Sequence, residues 1–195
     1  MKLYLLNVKT FCLHEGPFLS YPEIKRYEGY MRQEDKDLFL MGRYLIRKYV
    51  GMRKFDVSEN GKLSIQGEKP FSLSHSYPYV ALAVSEGAEI GVDVETTERL
   101  QNGQLSELLK KIKTSMPLSF YWCLNEACFK ASGKGNFNPS ESIEPLGEGK
   151  CLYRDETYYY GHVGLANAMI VVASKEPLGE VEVIEIANPF PGNLA

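Results

Sequence analysis

The sequence predicts an α+β fold of two similar α/β halves in a pseudo-twofold arrangement, each a small, mostly antiparallel sheet with one long helix. Three observations predict it. Short apolar segments with strand-like alternation recur along the chain, and two longer stretches carry apolar residues at helical spacing. In addition, YVALAVSEGAEIGVDVE in the first half shares a strand-turn-strand layout with AMIVVASKEPLGEVEVIEI in the second, each after one long helix. The halves divide at 1–95 and 96–195, and ligands commonly bind at such an interface.

Residues 3–8 (LYLLNV) read as the first strand. One helical stretch over 22–50 follows, with Leu38, Met41, Leu45 and Tyr49 on its apolar face and Gly51 closing it. FDVS and KLSIQ flank Asn60-Gly61, a strong hairpin cue. FSLSHS, YVALAV and EIGVDVE read as strands, the last two adjacent across a turn over 85–88. Residues 96–116 are polar, end in the basic LLKKIK and stop before Pro117, which suits a short helix or a connection. The second long helix starts at Pro117, carries Phe120, Cys123 or Leu124, Ala127 and Ala131 along one side, and ends at Gly133 to Gly135. CLYR, TYYYGHVG, AMIVVAS and EVEVIEI alternate as strands, and NPFPGNLA reads as a frayed tail.

Composition narrows the function. At 195 residues and 44% hydrophobic the chain can bury a core, which excludes disorder. Its 22 Lys+Arg against 25 Asp+Glu leave a net charge of −3, so nucleic acid is not the expected partner. Cys12, Cys123, Cys128 and Cys151 form no CxxC pair, which argues against a zinc site or disulfide framework and for the reducing cytoplasm. Apolar runs too short to span a bilayer, and no signal-peptide cleavage pattern, predict no membrane partner.

Asp93 and Glu95 stand two apart on a strand, so both carboxylates leave the same face while Val92 and Val94 face the core. Such a pair is either a solvated strand face or a hard-cation site, since Mg²⁺ prefers carboxylate oxygens. Glu126 and Lys130 share a helix face four residues apart. They form either a helix-stabilising ion pair or, if Glu126 meets Asp93 across the interface, the third carboxylate and phosphate-binding cation of a phosphoryl-transfer site. His75 lies in Ser74-His75-Ser76 with no triad spacing and no GxSxG, which disfavours nucleophilic hydrolysis. With Lys69 upstream, Ser74 and His75 can instead hydrogen-bond a phosphate. Basic residues from Lys25 to Lys54 crowd the first helical region, where one or two could serve an anionic ligand.

Taken in order, Phe71-Ser72-Leu73-Ser74-His75-Ser76, Gly91-Val92-Asp93-Val94-Glu95 and Trp122-Cys123-Leu124-Asn125-Glu126-Ala127-Cys128-Phe129-Lys130 resemble the FNxSHS-like, GIDxE and WxxKExxxK motifs of the 4′-phosphopantetheinyl transferase superfamily, in its larger single-chain surfactin-synthetase-activating type. Glu68-Lys69-Pro70 looks like the family's GKP, and Gly42-Arg43-Tyr44-Leu45-Ile46-Arg47 like its first-helix pattern. The resemblance spans roughly residues 22 to 135, and its pseudo-dimeric fold matches the two halves above. It implies transfer of the phosphopantetheine arm of coenzyme A to a serine of an acyl or peptidyl carrier protein, with release of adenosine 3′,5′-bisphosphate; two halves in one chain already supply an interface, so a monomer is expected.

By that resemblance Asp93, Glu95 and Glu126 hold Mg²⁺ against the coenzyme A pyrophosphate, Glu126 or a metal-bound water takes the serine proton, and Lys130 steadies the pyrophosphate. Ser74, His75, Lys69 and Arg26 hold the coenzyme's phosphates. The chain also departs from the pattern. Asn125 stands where a lysine is usual, removing a cation near the pyrophosphate; Leu38 stands at an arginine position, leaving Arg43 or Arg32 to compensate; and the interval from Asp93 to Glu126 is short and lacks the arginine-rich FFSxxE segment. These departures allow an alternative, a catalytically weak or inactive relative that binds coenzyme A or a carrier protein.

Overall fold

The computed structural model describes residues 1–13, 19–102, 107–108, 112 and 114–187. The tail over 188–195 and most of the LLKKIK stretch, both read above from sequence, lie outside the described residues. The fold is mixed α+β, with four helices among the described residues and sheets of four, five and two strands.

Strand β1 (Lys2–Asn7) is apolar on both faces because both are covered. Leu3 and Leu5 point toward the second sheet, whereas Tyr4 and Leu6 point toward the helices, as strand alternation requires. The helical region expected to be continuous is two helices, α1 (Tyr21–Glu28) and α2 (Gln33–Tyr49). Ser20 and Glu23 open α1 as a capping box, and Gly29 ends it by donating its N–H to Lys25 O. Helix α2 lays Leu38, Met41 and Leu45 on the first sheet, and Tyr49 stacks on Tyr4 at 3.9 Å. Strands β2 (Asp56–Val57) and β3 (Leu63–Ser64) form the hairpin expected around Asn60-Gly61, with Gly61 at φ 83° where an L side chain would be strained.

Strands β4 (Phe71–Ser76), β5 (Tyr79–Val84) and β6 (Ile90–Thr96) follow, but β5 and β6 are not the adjacent pair expected. Both edges of β5 are occupied, by β1 and β4, so the chain crosses at 85–89 into the other sheet. There β6 pairs with β10 (Ala168–Ser174). The second presumed hairpin separates the same way, because β11 (Glu182–Ile186) returns to pair in parallel with β1. The sheets therefore run β11-β1-β5-β4 and β6-β10-β9-β8-β7, each taking one strand from the opposite half of the sequence. Strands β7 (Ile143–Gly147), β8 (Lys150–Tyr153) and β9 (Glu156–Gly164) complete the second sheet. Strand β7 was hidden in the sequence by Pro145 and Gly147, which an edge strand tolerates.

Helix α3 (Thr97–Gln101) follows β6, and α4 (Leu118–Ser132) covers the second sheet, ending at Gly133 with φ 63°. Between the sheets Leu3, Leu5, Ala81 and Ala83 meet Val92, Val94, Ile170 and Val172. Fully burying each of the larger aliphatics contributes roughly 1.5–3 kcal/mol. This order of helix, sheet, sheet and helix brings edge strand β4 beside edge strand β6 and sets α4 over β6.

Candidate active site

An edge strand leaves backbone donors that must find partners. On β6 those donors are met by side chains of β4: Val92 N–H donates to Ser72 Oγ (3.0 Å), Val94 N–H to Ser74 Oγ (3.4 Å) and Thr96 N–H to Ser76 Oγ (3.1 Å). Three serines spaced by two fall on one face of β4 and form a polar seam along β6. The same hydroxyls donate onward, Ser74 to Asp93 Oδ1 at 2.8 Å and Ser76 to Glu95 Oε2 at 2.9 Å. Both carboxylates are buried, 1% and 2% exposed, which removes the solvated-face reading.

Gly91, on the same face as Asp93 and Glu95, admits α4 against the backbone. A Cβ there would lie 2.0 Å from Ala127 O and 2.6 Å from Ala131 N. This close approach delivers the α4 side chains. Lys130 Nζ sits 2.7 Å from Asp93 Oδ1, 3.3 Å from Glu126 Oε2 and 3.1 Å from Ser74 Oγ. The i,i+4 pair of the sequence reading is therefore present, and it also reaches Asp93. Burial opposes the Lys130 charge, but Asp93 and Glu126 outweigh it and hold its pKa above the ordinary value. Burial and then the Asp93 charge push Glu126 and Glu95 each up to about 7, against the opposing pull of Lys130 and Arg99 respectively.

Carboxylates with raised pKa values favour the folded state while protonated, so their contribution falls as pH rises from 4.5 to about 7 and is flat above. His75 opposes this trend, since desolvation and then Lys130 and Arg99 lower its pKa. Two carboxylates outweigh one imidazole. In EDTA, the midpoint of thermal unfolding is expected to drop between pH 5 and pH 8, and millimolar Mg²⁺ to raise it more at pH 8. Differential scanning fluorimetry reads both effects; an equal cation response at the two pH values would contradict the charge arrangement.

The carboxylates open into a cleft of about 350 Å³ whose walls include Arg26, Arg43, Ser74, His75, Phe129 and Lys130. Arg26, on α1, is exposed and donates from Nε to Tyr30 OH at 3.2 Å. His75 is exposed at the cleft, on the face of β4 opposite the serines. Three expected phosphate ligands stand differently. Ser74 is committed to Asp93, Lys130 and Val94 N–H, so it positions the interior. Arg43 reaches the wall but is 6% exposed and ion-paired to Glu23 at 2.6 Å, with Arg47 on the other Glu23 oxygen at 2.7 Å. Lys69 lies outside this cleft, beside Lys2 and Tyr49, and pairs with Glu86 at 2.7 Å. Arg32 is also away from the cleft lining and pairs with Glu34. Lys62 and Arg99, which the sequence reading did not single out, line the cleft instead, each paired with a carboxylate, Glu89 and Glu95. Were the cleft to take the coenzyme A that the sequence resemblance implies, Lys69→Ala would be expected to leave its affinity within about twofold and Arg26→Ala to weaken it, as calorimetry would read.

Asn125 is fully buried, and its amide donates to the carbonyls of Asn138, Pro139 and Glu141 at 3.4–3.5 Å. It fastens the loop over 138–141 and is not itself part of the cleft lining. Cys123 is buried beside Asp93, and burial and then Asp93 and Glu95 push its thiol well above the ordinary value, keeping it protonated. All four cysteines are free.

Among the described residues no ready-made group of three His, Cys, Asp or Glu side chains holds a metal geometry, and the Lys130 ammonium stands between Asp93 and Glu126. The donor atoms are nevertheless of the kind a hard dication takes. They are carboxylate oxygens, and Asp93 Oδ2 is buried without a hydrogen-bond partner among the described residues. No helix among these residues is long and apolar enough to cross a membrane. No protein-family model matches the chain, and no curated protein matches it.

Proposed function

We propose that this protein is a Mg²⁺-dependent 4′-phosphopantetheinyl transferase, moving the arm of coenzyme A to a serine of an acyl or peptidyl carrier protein. One observation carries the reading: Asp93, Glu95, Glu126 and Lys130, distributed over two motifs more than thirty residues apart, meet at one cleft whose rim holds His75 and Arg26. The reciprocal crossing of β6 and β11 supports the pseudo-twofold halves of that family's fold, with 1–95 and 96–195 as exchanging halves of one monomeric unit. The cytoplasm, where coenzyme A and carrier proteins meet, is the compartment this reading implies.

In this mechanism the carrier serine oxygen attacks the phosphorus bearing the pantetheine arm, and the bond to adenosine 3′,5′-bisphosphate breaks. Glu126, or a water held by the ion, would accept the serine proton, since this carboxylate lines the cleft beside Lys130. Lys130 and the rim residues His75 and Arg26 bind phosphate oxygens and fix their orientation. Asp93, Glu95 and Glu126 are the residues that would hold Mg²⁺, which supplies charge neutralisation at the pyrophosphate. Ser74 and Ser76 hold the carboxylates in place, and the protonated Cys123 thiol offers no competing nucleophile.

Incubating apo carrier proteins with the protein, coenzyme A and Mg²⁺ is expected to add one phosphopantetheine arm by intact mass, an addition lost in EDTA. No addition across fatty-acid, polyketide and peptide carriers would count against the transferase. Coenzyme A binding without transfer would favour the alternative, a catalytically weak or inactive relative that binds coenzyme A or a carrier protein.

A further inference from the structure

The Lys130 ammonium has three donors and three oxygens around it, from Asp93, Glu126 and Ser74. Its stem comes from α4, which Gly91 lets down onto β6, so the ammonium is held among the carboxylates by the fold itself. Only one oxygen of Asp93 is used; Oδ2 is buried and has no partner among the described residues. The arrangement places one positive charge against two carboxylates that a divalent cation would also require. We propose that Lys130 is the internal competitor of that cation: ammonium and metal contend for Asp93 and Glu126, and entry of the metal releases Lys130 toward the cleft. The inference rests on the metal reading above and deepens it. A lysine that kept its place beside Asp93 with the metal bound would show the same ammonium resonance with and without the cation; a displaced competitor does not.

The test uses Mn²⁺ as the probe, without coenzyme A, followed by electron paramagnetic resonance of the free ion. Lys130→Met is expected to bind Mn²⁺ about tenfold tighter than the wild type, because a like charge a few ångströms away is removed. Equal or weaker binding by the folded variant overturns the competition while leaving the metal site standing. Absence of Mn²⁺ binding by both proteins overturns the metal reading itself, and the competition with it. The wild type supplies an independent measurement should Lys130→Met not fold. In EDTA, the Lys130 ammonium protons are expected to exchange slowly by ¹⁵N-correlated NMR, and added Mg²⁺ to speed their exchange and shift the resonance. A resonance unmoved by saturating Mg²⁺ overturns the proposal.

Discussion

Alanine at Gly91 is expected to destabilise the protein by about 3 kcal/mol and to abolish carrier modification together with it. The reason is contact with backbone. The added methyl would lie 2.0 Å from Ala127 O and 2.6 Å from Ala131 N, neither of which can rotate away as a side-chain tip would. Relief requires α4 to lift from β6, and α4 carries Glu126 and Lys130 to Asp93. Even a displacement of about 1 Å can lower a positioned reaction on the order of 10²-fold. Gly87→Ala is the control: nothing lies within 4 Å of where the added methyl would stand, so its effect should stay within about 0.5 kcal/mol. Thermal unfolding and the intact-mass assay measure both variants. A Gly91→Ala protein as stable as Gly87→Ala would show that the helix does not depend on this approach.

Gly91 also illustrates which features the sequence made legible. Period-two alternation was enough to put Asp93 and Glu95 on one face, and helical spacing was enough to put Glu126 beside Lys130. Neither rule reveals that the two faces meet, which follows from a glycine at the contact and from the crossing of β6 into the second sheet. The turn over 85–88 suits a hairpin and a crossover equally, so local cues could not distinguish them. The break between α1 and α2 was marked in the sequence by Gly29, which closes α1, while the apolar face read from the sequence lies wholly within α2. The ion pairs of Lys69 and Arg43 were not legible because their partners are remote, Glu86 across a strand pair and Glu23 on another helix. The serine seam was readable at Ser72, Ser74 and Ser76. Its role needed the neighbouring edge of β6, whose donors those hydroxyls accept.

Asn in place of Asp93 is expected to remove Mg²⁺-dependent transfer by on the order of 10³-fold, the loss of several kcal/mol of charge stabilisation. The substitution keeps the side-chain volume on a strand whose core contacts come from Val92 and Val94, and Glu126 remains beside the Lys130 ammonium, so the fold should survive. Two readouts distinguish the loss of a metal ligand from structural damage. First, Asp93 is a leading cause, after burial, of the raised Glu95 and Glu126 pKa values, so its neutral replacement should flatten the fall in stability between pH 4.5 and about 7. Second, the extra thermal stabilisation by Mg²⁺ at pH 8 should disappear. A damaged fold would instead lower stability at every pH and leave the slope in place. If Asp93→Asn kept both the Mg²⁺ response and transfer, Asp93 would be only the anchor of Lys130, and the metal site would have to lie elsewhere. Loss of transfer with a flattened pH slope and no Mg²⁺ response would place the charge of Asp93 at the centre of the site, because one carboxylate would then govern two neighbouring titrations and the binding of the ion.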